Sequence, residues 1–432
     1  MNDADVIVVG SGAGGLACAV ALARAGKRVL VLEQHYLPGG WCHSFPLGGF
    51  QFSPGVHYIG ALEPGQLMRN LFEGLGVAKD LVFCELNPDG YDHIQIGAER
   101  FSIPKGAARF RAKLIERFPR ERAGIERYFD TTLAMQSELM ALLDARGLDM
   151  LTMPLRCRTL LRWGGATLER LLDSCTADPA LRTILSIQAG DYGLPPSRAP
   201  LPIHVAVTGH YYDGGYYPLG GARSIPRAFI KELRRKGGEI RVSSPVSEIL
   251  TRPDGARRRA CGVRLADGET LHADAVVSNA DPHVTYLSLI GEAHLSRKLR
   301  TRLSKTTWSV SCLSLFMGVE IDAEAHGLDS GNIWYTQRPD VEDTYAFARR
   351  TSLDDLKSLP SSFLTVTTLK DPSKRKRRDL HTMESFVLVD SEAFRTWAGS
   401  RYGERPEDYV AMKEALSDRM LDHIGEYLPN FR

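Results

Sequence analysis

Apolar residues near the start of the chain form short unbroken runs on either side of a helical pattern. Residues 6–9 are all apolar, which is typical of a strand buried on both faces of a parallel sheet. Residues 17–25 combine small and apolar side chains and end at Gly26, a common helix terminator. Residues 28–32 form a second strand-like run. The pattern therefore predicts a buried strand, a helix and a second buried strand.

The turn between this first strand and the helix is rich in glycine. Gly10, Gly12 and Gly15 follow G-x-G-x-x-G spacing, and Glu33 stands eighteen positions after Gly15 at the end of the second strand. Such glycines let a pyrophosphate approach the helix N-terminus, and the carboxylate can accept hydrogen bonds from a ribose. Because all these parts occur in order, they predict a dinucleotide site rather than a packing turn. Its predicted residues here are Gly10, Ser11, Gly12, Ala13, Gly14, Gly15, Glu33 and Gln34.

The rest of the chain predicts further helices and a second sheet. Helical apolar spacing occurs at residues 65–75, 107–118, 120–146, 225–236 and 404–427. Strands and a hairpin are predicted at 239–242, 245–250, 263–271 and 273–282. Partly alternating polar and apolar residues predict an antiparallel sheet from 308–319, 362–369 and 384–389. The fold class is therefore predicted to be α/β, with residues 63–215 forming a mostly helical insertion.

Composition excludes some functions without choosing one. The 432 residues are 43% hydrophobic and 25% charged, as in ordinary globular proteins, and a net charge of +2 does not favour nucleic acid. The seven cysteines form no C-x-x-C pair, so no metal site is predicted. The first strand begins too early for a signal peptide, and no run of about 18 apolar residues exists to span a membrane. We expect a cytoplasmic protein with mostly reduced cysteines.

Four motifs resemble one branch of a known flavoprotein family. They are Gly10-Ser-Gly-Ala-Gly-Gly15, Leu30-Val-Leu-Glu-Gln-His35, Gly39-Gly-Trp-Cys-His-Ser-Phe45 and Gly55-Val-His-Tyr-Ile-Gly60. Together they closely resemble the retinol saturase and carotenoid isomerase branch of the phytoene desaturase-like flavoproteins. The resemblance is strongest over residues 5–62, resumes at 216–290 and is weaker at 367–373.

The resemblance implies FAD as the cofactor and two interleaved domains. A discontinuous Rossmann-type FAD-binding domain would comprise residues 1–62 and 216–295, and an α+β substrate or lid domain would comprise 63–215 and 296–432. Further cofactor contacts are implied at Gly39, Gly40, Val246 and Asn279, with Val246 against the adenine. Members of the family normally continue into a glycine-rich segment that contacts the flavin, and no such segment is found in this sequence.

His57 and Tyr58 are the predicted catalytic residues, because the resemblance places their loop in the active site. Saturation of a C=C bond needs a hydride at one carbon and a proton at the other, and either side chain can supply a proton. The alternative is that both simply bond to backbone in a glycine-rich loop. Ser53 stands where many relatives carry an acidic residue, so any role of that acid is absent here.

The resemblance implies an FAD-dependent oxidoreductase acting on C=C bonds of an apolar isoprenoid polyene, by saturation, desaturation or cis-trans isomerisation. One alternative is a flavin amine oxidase. The aromatic run 210–217 would then form a cage, although it could equally be a pocket wall or a turn on the core. Another alternative is a non-enzymatic prenyl-lipid carrier similar to the Rab escort and GDP-dissociation inhibitor proteins. The candidate cage residues are Tyr211, Tyr212, Tyr216 and Tyr217.

Two basic segments suggest contact with a membrane surface. Residues 150–172 form a basic amphipathic pattern that could lie on a membrane and admit a lipid-soluble substrate, or could be an ordinary lid helix. Residues 374–378 could touch anionic headgroups, but a solvated loop is the favoured interpretation. The protein could thus be peripheral on a membrane. The first segment combines Arg156, Arg158, Arg162 and Arg170 with Leu151, Leu155, Leu160, Leu161 and Trp163.

Overall fold

The computed structural model describes residues 2–147, 149–255, 257–350, 352–353, 356, 358–401, 403–429 and 431. Contacts within the chain divide it into two compact units. The first unit comprises residues 1–58, 62–84 and 217–308, and the second unit comprises residues 59–61, 85–216 and 309–432.

The described strands and helices follow the chain in this order. The strands are β1 (Ala4–Val9), β2 (Val29–Leu32), β3 (Phe45–Leu47), β4 (Phe50–Phe52), β5 (Phe83–Glu85), β6 (Asp92–Ile96), β7 (Glu99–Ile103), β8 (Tyr216–Pro218), β9 (Glu239–Arg241), β10 (Val246–Asp254), β11 (Arg257–Leu265), β12 (Thr270–Ser278), β13 (Ser311–Glu320), β14 (Asn332–Thr336), β15 (Ser361–Val366) and β16 (Leu380–Val389). The helices are α1 (Ala13–Arg24), α2 (Leu67–Gly74), α3 (Ala107–Arg117), α4 (Arg122–Asp144), α5 (Asp149–Arg156), α6 (Arg158–Trp163), α7 (Leu168–Cys175), α8 (Pro179–Ser186), α9 (Leu201–Tyr211), α10 (Ser224–Arg235), α11 (Arg297–Leu303), α12 (Val341–Ala348), α13 (Thr367–Lys370) and α14 (Glu407–Tyr427).

The first unit is organised around a six-stranded sheet with the order β10-β11-β12-β1-β2-β9. Strands β12, β1, β2 and β9 run parallel, and β10, β11 and β12 form an antiparallel ribbon at one edge. Val8 and Val31 are fully buried, as expected for central strands covered on both faces. Helix α1 packs through Leu16, Ala19 and Val20. The predicted strand, helix and strand at the start of the chain are therefore confirmed.

The second unit contains a six-stranded sheet with the order β13-β16-β15-β14-β6-β7. Strands β13, β16, β15 and β14 are antiparallel, which confirms the antiparallel sheet predicted from residues 308–319, 362–369 and 384–389. Helix α14 contributes Ile424 and Tyr427 to the core beside Leu364 and Met383. The fold is thus a mixed α/β architecture, in agreement with the predicted class. No helix in the described residues combines the length and apolar composition needed to cross a bilayer.

The hairpin β6–β7 is an element that the helical interpretation of residues 63–215 missed. Strand β6 pairs with β7 in antiparallel fashion and with β14 in parallel, so it completes the second sheet. The local signal was an alternation of apolar side chains at Ile94, Ile96, Phe101 and Ile103 around Gly97. A segment this short gains most of its stability from pairing with strand β14, which lies more than two hundred residues later in the chain. Local periodicity cannot reveal a pairing of this kind.

The helical layer of the second unit buries a histidine between two tyrosines. His204 on α9 is fully buried, with its Nε2 2.9 Å from the Tyr128 hydroxyl and its Nδ1 3.0 Å from the Tyr192 hydroxyl. Tyr128 donates to the carbonyl of Leu185, so its oxygen accepts from His204 Nε2–H, and Nδ1 accepts from Tyr192. Burial lowers the pKa of His204 from 6.5 to about 3. The histidine is therefore a neutral structural link between helices.

This burial predicts acid sensitivity in the second unit. The unfolded chain protonates His204 below its ordinary pKa of 6.5, whereas the folded state resists protonation until about pH 3. The free energy of unfolding should therefore fall as pH falls through that window. His204→Gln should cost about 1–3 kcal/mol at neutral pH, because two buried hydroxyls lose their partner. The free energy of unfolding of this variant should also fall less steeply than that of the wild type as the pH is lowered. Urea denaturation from pH 7.5 to 4 measures both.

The exposed residue His294 offers a matched control. His294→Gln should leave both the stability and its pH dependence at the wild-type values. If His204→Gln kept the wild-type slope with pH, the neutral state of His204 in the folded protein would be refuted.

Candidate functional site

Three neighbouring parallel strands of the first unit end at the same edge of the sheet. Strand β1 pairs with β2 on one side and with β12 on the other, so Val9 lies opposite both Leu32 and Ser278. The residues that follow these strand ends include Gly10, Glu33 and Asn279. Ligands of open α/β sheets bind in the crevice beyond the carboxyl ends of the strands. The sheet thus brings three of the predicted cofactor residues together.

The glycine-rich turn presents the N-terminus of α1 to this edge. Gly10 has a φ of +92°, which side-chain-bearing residues rarely adopt, and α1 begins at Ala13. A Cβ atom at Gly15 would overlap the carbonyl oxygen of Gly10, so only glycine allows this helix to approach the strand. The first turn of α1 carries no acidic side chain. Its backbone N–H groups and positive dipole end therefore suit a pyrophosphate.

The carboxylate of Glu33 is held by donors from two chain segments. Its Oε2 accepts the backbone N–H of Ser11 at 2.9 Å and the Ser11 hydroxyl at 2.6 Å, and its Oε1 accepts the His35 N–H at 2.8 Å. Glu33 and Ser11 are both buried. Among the described residues Oε1 has this single donor, so it retains a lone pair for a further one. The carboxylate thus faces the glycine turn and can still accept a ribose hydroxyl.

Ser11 also connects the turn to the second glycine pair. The Gly39 N–H donates to the Ser11 hydroxyl oxygen at 3.1 Å. Gly40 has a φ of +54°, and a Cβ atom there would lie 3.0 Å from the Cα of Gly12. The two backbones can approach this closely because both residues are glycines. The second glycine pair therefore forms a wall beside the first turn.

These segments enclose a cleft of about 550 Å³ in the first unit. Val246 contributes an apolar wall at the start of β10. Ser11, Gly14, Gly15 and Gly39 are not among the residues that line it. The cleft therefore has the donors, the acceptor and the apolar wall that the adenine dinucleotide part of FAD requires. The predicted residues that line it are Gly10, Gly12, Ala13, Glu33, Gln34, Gly40, Val246 and Asn279.

The Asn279 side chain lies across the first turn of α1. Its Nδ2 would be 2.9 Å from a Cβ atom at Gly12, and its Oδ1 would be 2.8 Å from one at Gly14. The backbone of Asn279 is fixed by its N–H, which donates to the carbonyl of Val9 at 2.8 Å. The Asn279 side chain is thus held next to the glycine turn.

The sequence interpretation missed several residues that line the cleft. Trp41 and Cys42 follow the second glycine pair, and Asp281 and Val284 follow Asn279. Trp41 is 71% exposed, which is unusual for an indole outside a binding surface. Burial raises the pKa of the Cys42 thiol, so it is a neutral thiol at pH 7. Trp41 and Cys42 belong to the 39–45 motif, but the resemblance implied cofactor contacts only at Gly39 and Gly40 there. For Asp281 and Val284 the available signal was their nearness in sequence to Asn279.

His57 and Tyr58 follow β4 in the first unit. His57 is half-buried, Tyr58 is buried, and neither is among the residues that line the described cleft. Their catalytic role stays a prediction. Ser53 is fully buried, lies 2.9 Å from the Ser44 hydroxyl and accepts the Ala222 N–H at 3.4 Å. The Ser53 hydroxyl therefore serves as a structural link.

The glycine that ends the His57–Tyr58 motif packs within the second unit. The Gly60 N–H donates to His210 Nε2 at 2.7 Å, and a Cβ atom at Gly60 would overlap the His210 carbonyl oxygen. Burial lowers the pKa of His210 from 6.5 to about 4, so it remains a neutral acceptor. Close backbone packing therefore explains this glycine.

The aromatic run 210–217 does not form an open cage in the described structure. Tyr211 and Tyr212 are buried in the second unit, with their rings against Tyr91 and Phe129. Tyr216 is half-buried, and its hydroxyl accepts from the Lys105 ammonium at 3.1 Å. Tyr217 is fully buried in the first unit. Three of the four tyrosines, Tyr211, Tyr212 and Tyr217, are thus core residues.

The basic run 374–378 is exposed and partly paired within the chain. Arg377 forms ion pairs with Asp379 at 2.8 Å and with Glu320 at 3.1 Å. Arg378 lies 3.7 Å from Glu324. These intramolecular partners fit the solvated loop that the sequence favours.

Comparison with known proteins assigns the family. The profile described as flavin containing amine oxidoreductase matches residues 13–352, well over half of the chain. The chain belongs to this family. Its FAD cofactor and oxidoreductase class, both predicted from the sequence, are thereby confirmed. FAD also fits the residues present, because the cleft combines the α1 N-terminus with the Glu33 carboxylate.

Similar proteins extend over the whole chain. An all-trans-retinol 13,14-reductase from Danio rerio is 30% identical and aligns with 100% of this chain and 73% of its own length. A prolycopene isomerase from an Oncidium hybrid cultivar is 26% identical, with 98% of this chain and 70% of that protein aligned. The predicted resemblance to this branch is therefore confirmed. A solved oxidoreductase from Methanosarcina mazei shares the fold, with a TM-score of 0.65, 18% identity and coverage of 99% and 85% of the two chains.

Substitution by alanine at two adjacent glycines of the turn should affect the stability of the protein differently. Gly15→Ala should destabilise the protein by about 1–3 kcal/mol, because its methyl group meets the fixed Gly10 carbonyl. Gly14→Ala is the matched control, because its methyl group meets only the Asn279 side chain, which can rotate away. Thermal unfolding of the FAD-free proteins measures the difference. Equal unfolding temperatures for the two variants would contradict the packing role of Gly15.

Removal of the Glu33 charge should weaken FAD binding. Glu33→Gln keeps the shape but replaces one acceptor oxygen with a donor, so we expect the dissociation constant to rise about tenfold or more. Titration of FAD-free protein by flavin fluorescence measures it. Glu248→Gln, at an exposed residue paired with Arg264, makes the same charge change and should leave binding unaltered. Unaltered binding by Glu33→Gln would mean that this carboxylate does not hold the cofactor.

Proposed function

We propose that this enzyme acts on C=C bonds of an apolar isoprenoid or polyene substrate. The observation that carries the proposal is the similarity along the whole chain to proteins named for retinol reduction and prolycopene isomerisation. The cleft in the first unit supports it, because it fits the cofactor that such chemistry needs. Saturation, desaturation and cis-trans isomerisation are all reactions of such C=C bonds.

The first unit serves as the FAD-binding domain in this proposal, and the second unit serves as the substrate domain. The α1 N-terminus with Gly12 to Gly15 would bind the pyrophosphate, and Glu33 would orient the ribose. Val246 would pack on the adenine, with Gly39, Gly40 and Asn279 closing the cleft. Bound FAD supplies hydride exchange with carbon. In saturation, His57 or Tyr58 would donate the proton to the second carbon of the bond.

Membrane contact is a further part of the proposal. An isoprenoid substrate partitions into lipid, so an enzyme that lies peripherally on a bilayer would meet it at high local concentration. Support comes from exposed leucines and arginines in the second unit.

Amine oxidation is the competing function, because the family profile is described by that activity. The burial of Tyr211 and Tyr212 weighs against the aromatic cage that suggested it. A prenyl-lipid carrier without flavin chemistry is disfavoured by the retained Gly10, Gly12, Gly15 and Glu33.

Anaerobic incubation of the reduced, FAD-loaded protein with all-trans-retinol or a carotene tests the substrate class. Saturation should return the flavin to its oxidised spectrum and shift the polyene absorbance to shorter wavelength, whereas isomerisation should shift only the polyene. His57→Asn and Tyr58→Phe should slow turnover while the flavin spectrum stays unchanged. Putrescine and benzylamine serve as controls. Hydrogen peroxide released from these amines, with no change in any polyene, would refute the proposal.

A further inference from the structure

Helices α4, α5 and α6 of the second unit carry a cluster of exposed apolar side chains. Of the eighteen large apolar residues that are exposed in the described chain, five fall within residues 142–161 and are 41% to 73% exposed. Apolar clusters of this kind on a protein surface usually mark a binding site. The members are Leu142, Leu143, Met150, Leu155 and Leu161.

The exposure of these side chains follows from the packing beneath them. Met153 and Cys157, one helical turn apart, are buried and fix which face of α5 points inward. The Glu138 carboxylate accepts the backbone N–H groups of Thr159 at 2.9 Å and Leu160 at 2.7 Å, which fixes the start of α6 against α4. The inward faces are therefore already filled. The exposed residues cannot turn inward without displacing this core.

Four exposed arginines lie in the same stretch of chain as these apolar residues, at positions 146, 156, 158 and 162. Among the described residues none of them forms an ion pair, although Glu126 and Asp130 of α4 line one groove with Arg158 and Arg162. Between positions 142 and 162 the acidic residues are Asp144 and Asp149. The neighbouring arginines of α3 and α4 behave differently. Ion pairs there join Arg111 to Asp130, Arg117 to Glu99 and Arg122 to Glu126. Within residues 142–162 the arginines therefore outnumber the acidic residues by four to two.

Unpaired guanidinium groups around exposed leucines match the chemistry of an anionic bilayer. Leucine and methionine side chains can enter the boundary between headgroups and acyl chains, while arginines bind lipid phosphates and carboxylates. We propose that the 142–162 surface, formed by these five apolar residues and four arginines, docks peripherally on an anionic phospholipid membrane. This inference rests on the proposed function, because docking would deliver a lipid-soluble substrate.

The surface differs from the segment that the sequence predicted. Residues 150–172 form the separate helices α5, α6 and α7 rather than one amphipathic helix. Helix α7 buries Leu168, Leu171 and Leu172. The guanidinium groups of Arg162 and Arg170 lie over the ring of Trp163, at 5.6 Å and 6.0 Å from its centroid. The end of α4 therefore replaces α7 in the docking surface. The side chain of Leu151 lies outside the described residues.

Co-sedimentation of the full-length holoprotein with phosphatidylcholine vesicles, with and without phosphatidylserine, tests the docking. The wild type should bind the anionic vesicles, and salt should weaken that binding. Leu155→Ser with Leu161→Ser should reduce binding at least about tenfold, since both lose apolar area in the lipid. Leu47→Ser with Leu67→Ser, two exposed leucines of the first unit, is the matched control and should bind like the wild type.

The charge contribution needs its own pair of variants. Arg156→Gln with Arg162→Gln should lose the preference for phosphatidylserine. Arg69→Gln with Arg395→Gln removes two arginines that already pair with Glu73 and Glu392, and should keep the preference. The FAD absorbance of every variant confirms folding.

Several results would overturn the inference. One is unchanged vesicle binding by the Leu155 and Leu161 variant with intact FAD absorbance. Another is equal binding of the wild type to neutral and anionic vesicles. A third is a dimer in size-exclusion chromatography that this variant makes monomeric without any vesicle binding, which would identify the surface as a contact between two copies.

Activity assays with two forms of the substrate distinguish this inference from the proposed function. The Leu155 and Leu161 variant should turn over detergent-dispersed polyene at the wild-type rate but vesicle-borne polyene more slowly. Activity on neither form by the wild type would instead refute the proposed function, while vesicle binding would still report on the surface.

Discussion

One buried carboxylate holds the nucleotide cleft together. Glu33 accepts three hydrogen bonds, two from Ser11 and one from the His35 backbone, and the Ser11 hydroxyl in turn accepts the Gly39 N–H. A buried charge is costly unless donors surround it, so the glycine turn, the end of β2 and the second glycine pair are held in one arrangement. The shape of the cleft therefore depends on the same residue that is proposed to orient the ribose. Structural and binding roles coincide in one side chain.

The helical layer of the second unit follows the opposite electrostatic principle. His204 is buried and His210 is half-buried, and both rings are neutral because burial lowers the pKa of each. Burial raises the pKa values of Tyr128 and Tyr192, so these hydroxyls stay uncharged as well. Tyr128, His204 and Tyr192 are thus hydrogen-bonded to one another without any ion.

The sequence predicted the nucleotide cleft better than the remainder of the site, for physical reasons. Gly10, Gly15 and Glu33 are local requirements of a strand, a turn and a helix, so their spacing carries the information. Trp41 and Asp281 line the cleft only because distant segments meet there, and the β6–β7 hairpin is completed by β14. The segment 150–172 has a clear composition, yet its division into α5, α6 and α7 depends on which leucines the neighbouring helices bury. Composition predicted an amphipathic surface but not its boundaries.

The order of strands in the first sheet also constrains how the protein is made. Strand β1 lies between β2, which follows it closely, and β12, whose pairing places Ala4 opposite Ala273. During synthesis on the ribosome, one edge of β1 therefore stays unpaired until more than half of the chain has been made. Contacts between such distant segments form slowly, and exposed apolar strand edges favour aggregation in the meantime. Recombinant production should consequently benefit from slow expression at low temperature and from chaperones that shield unfinished chains.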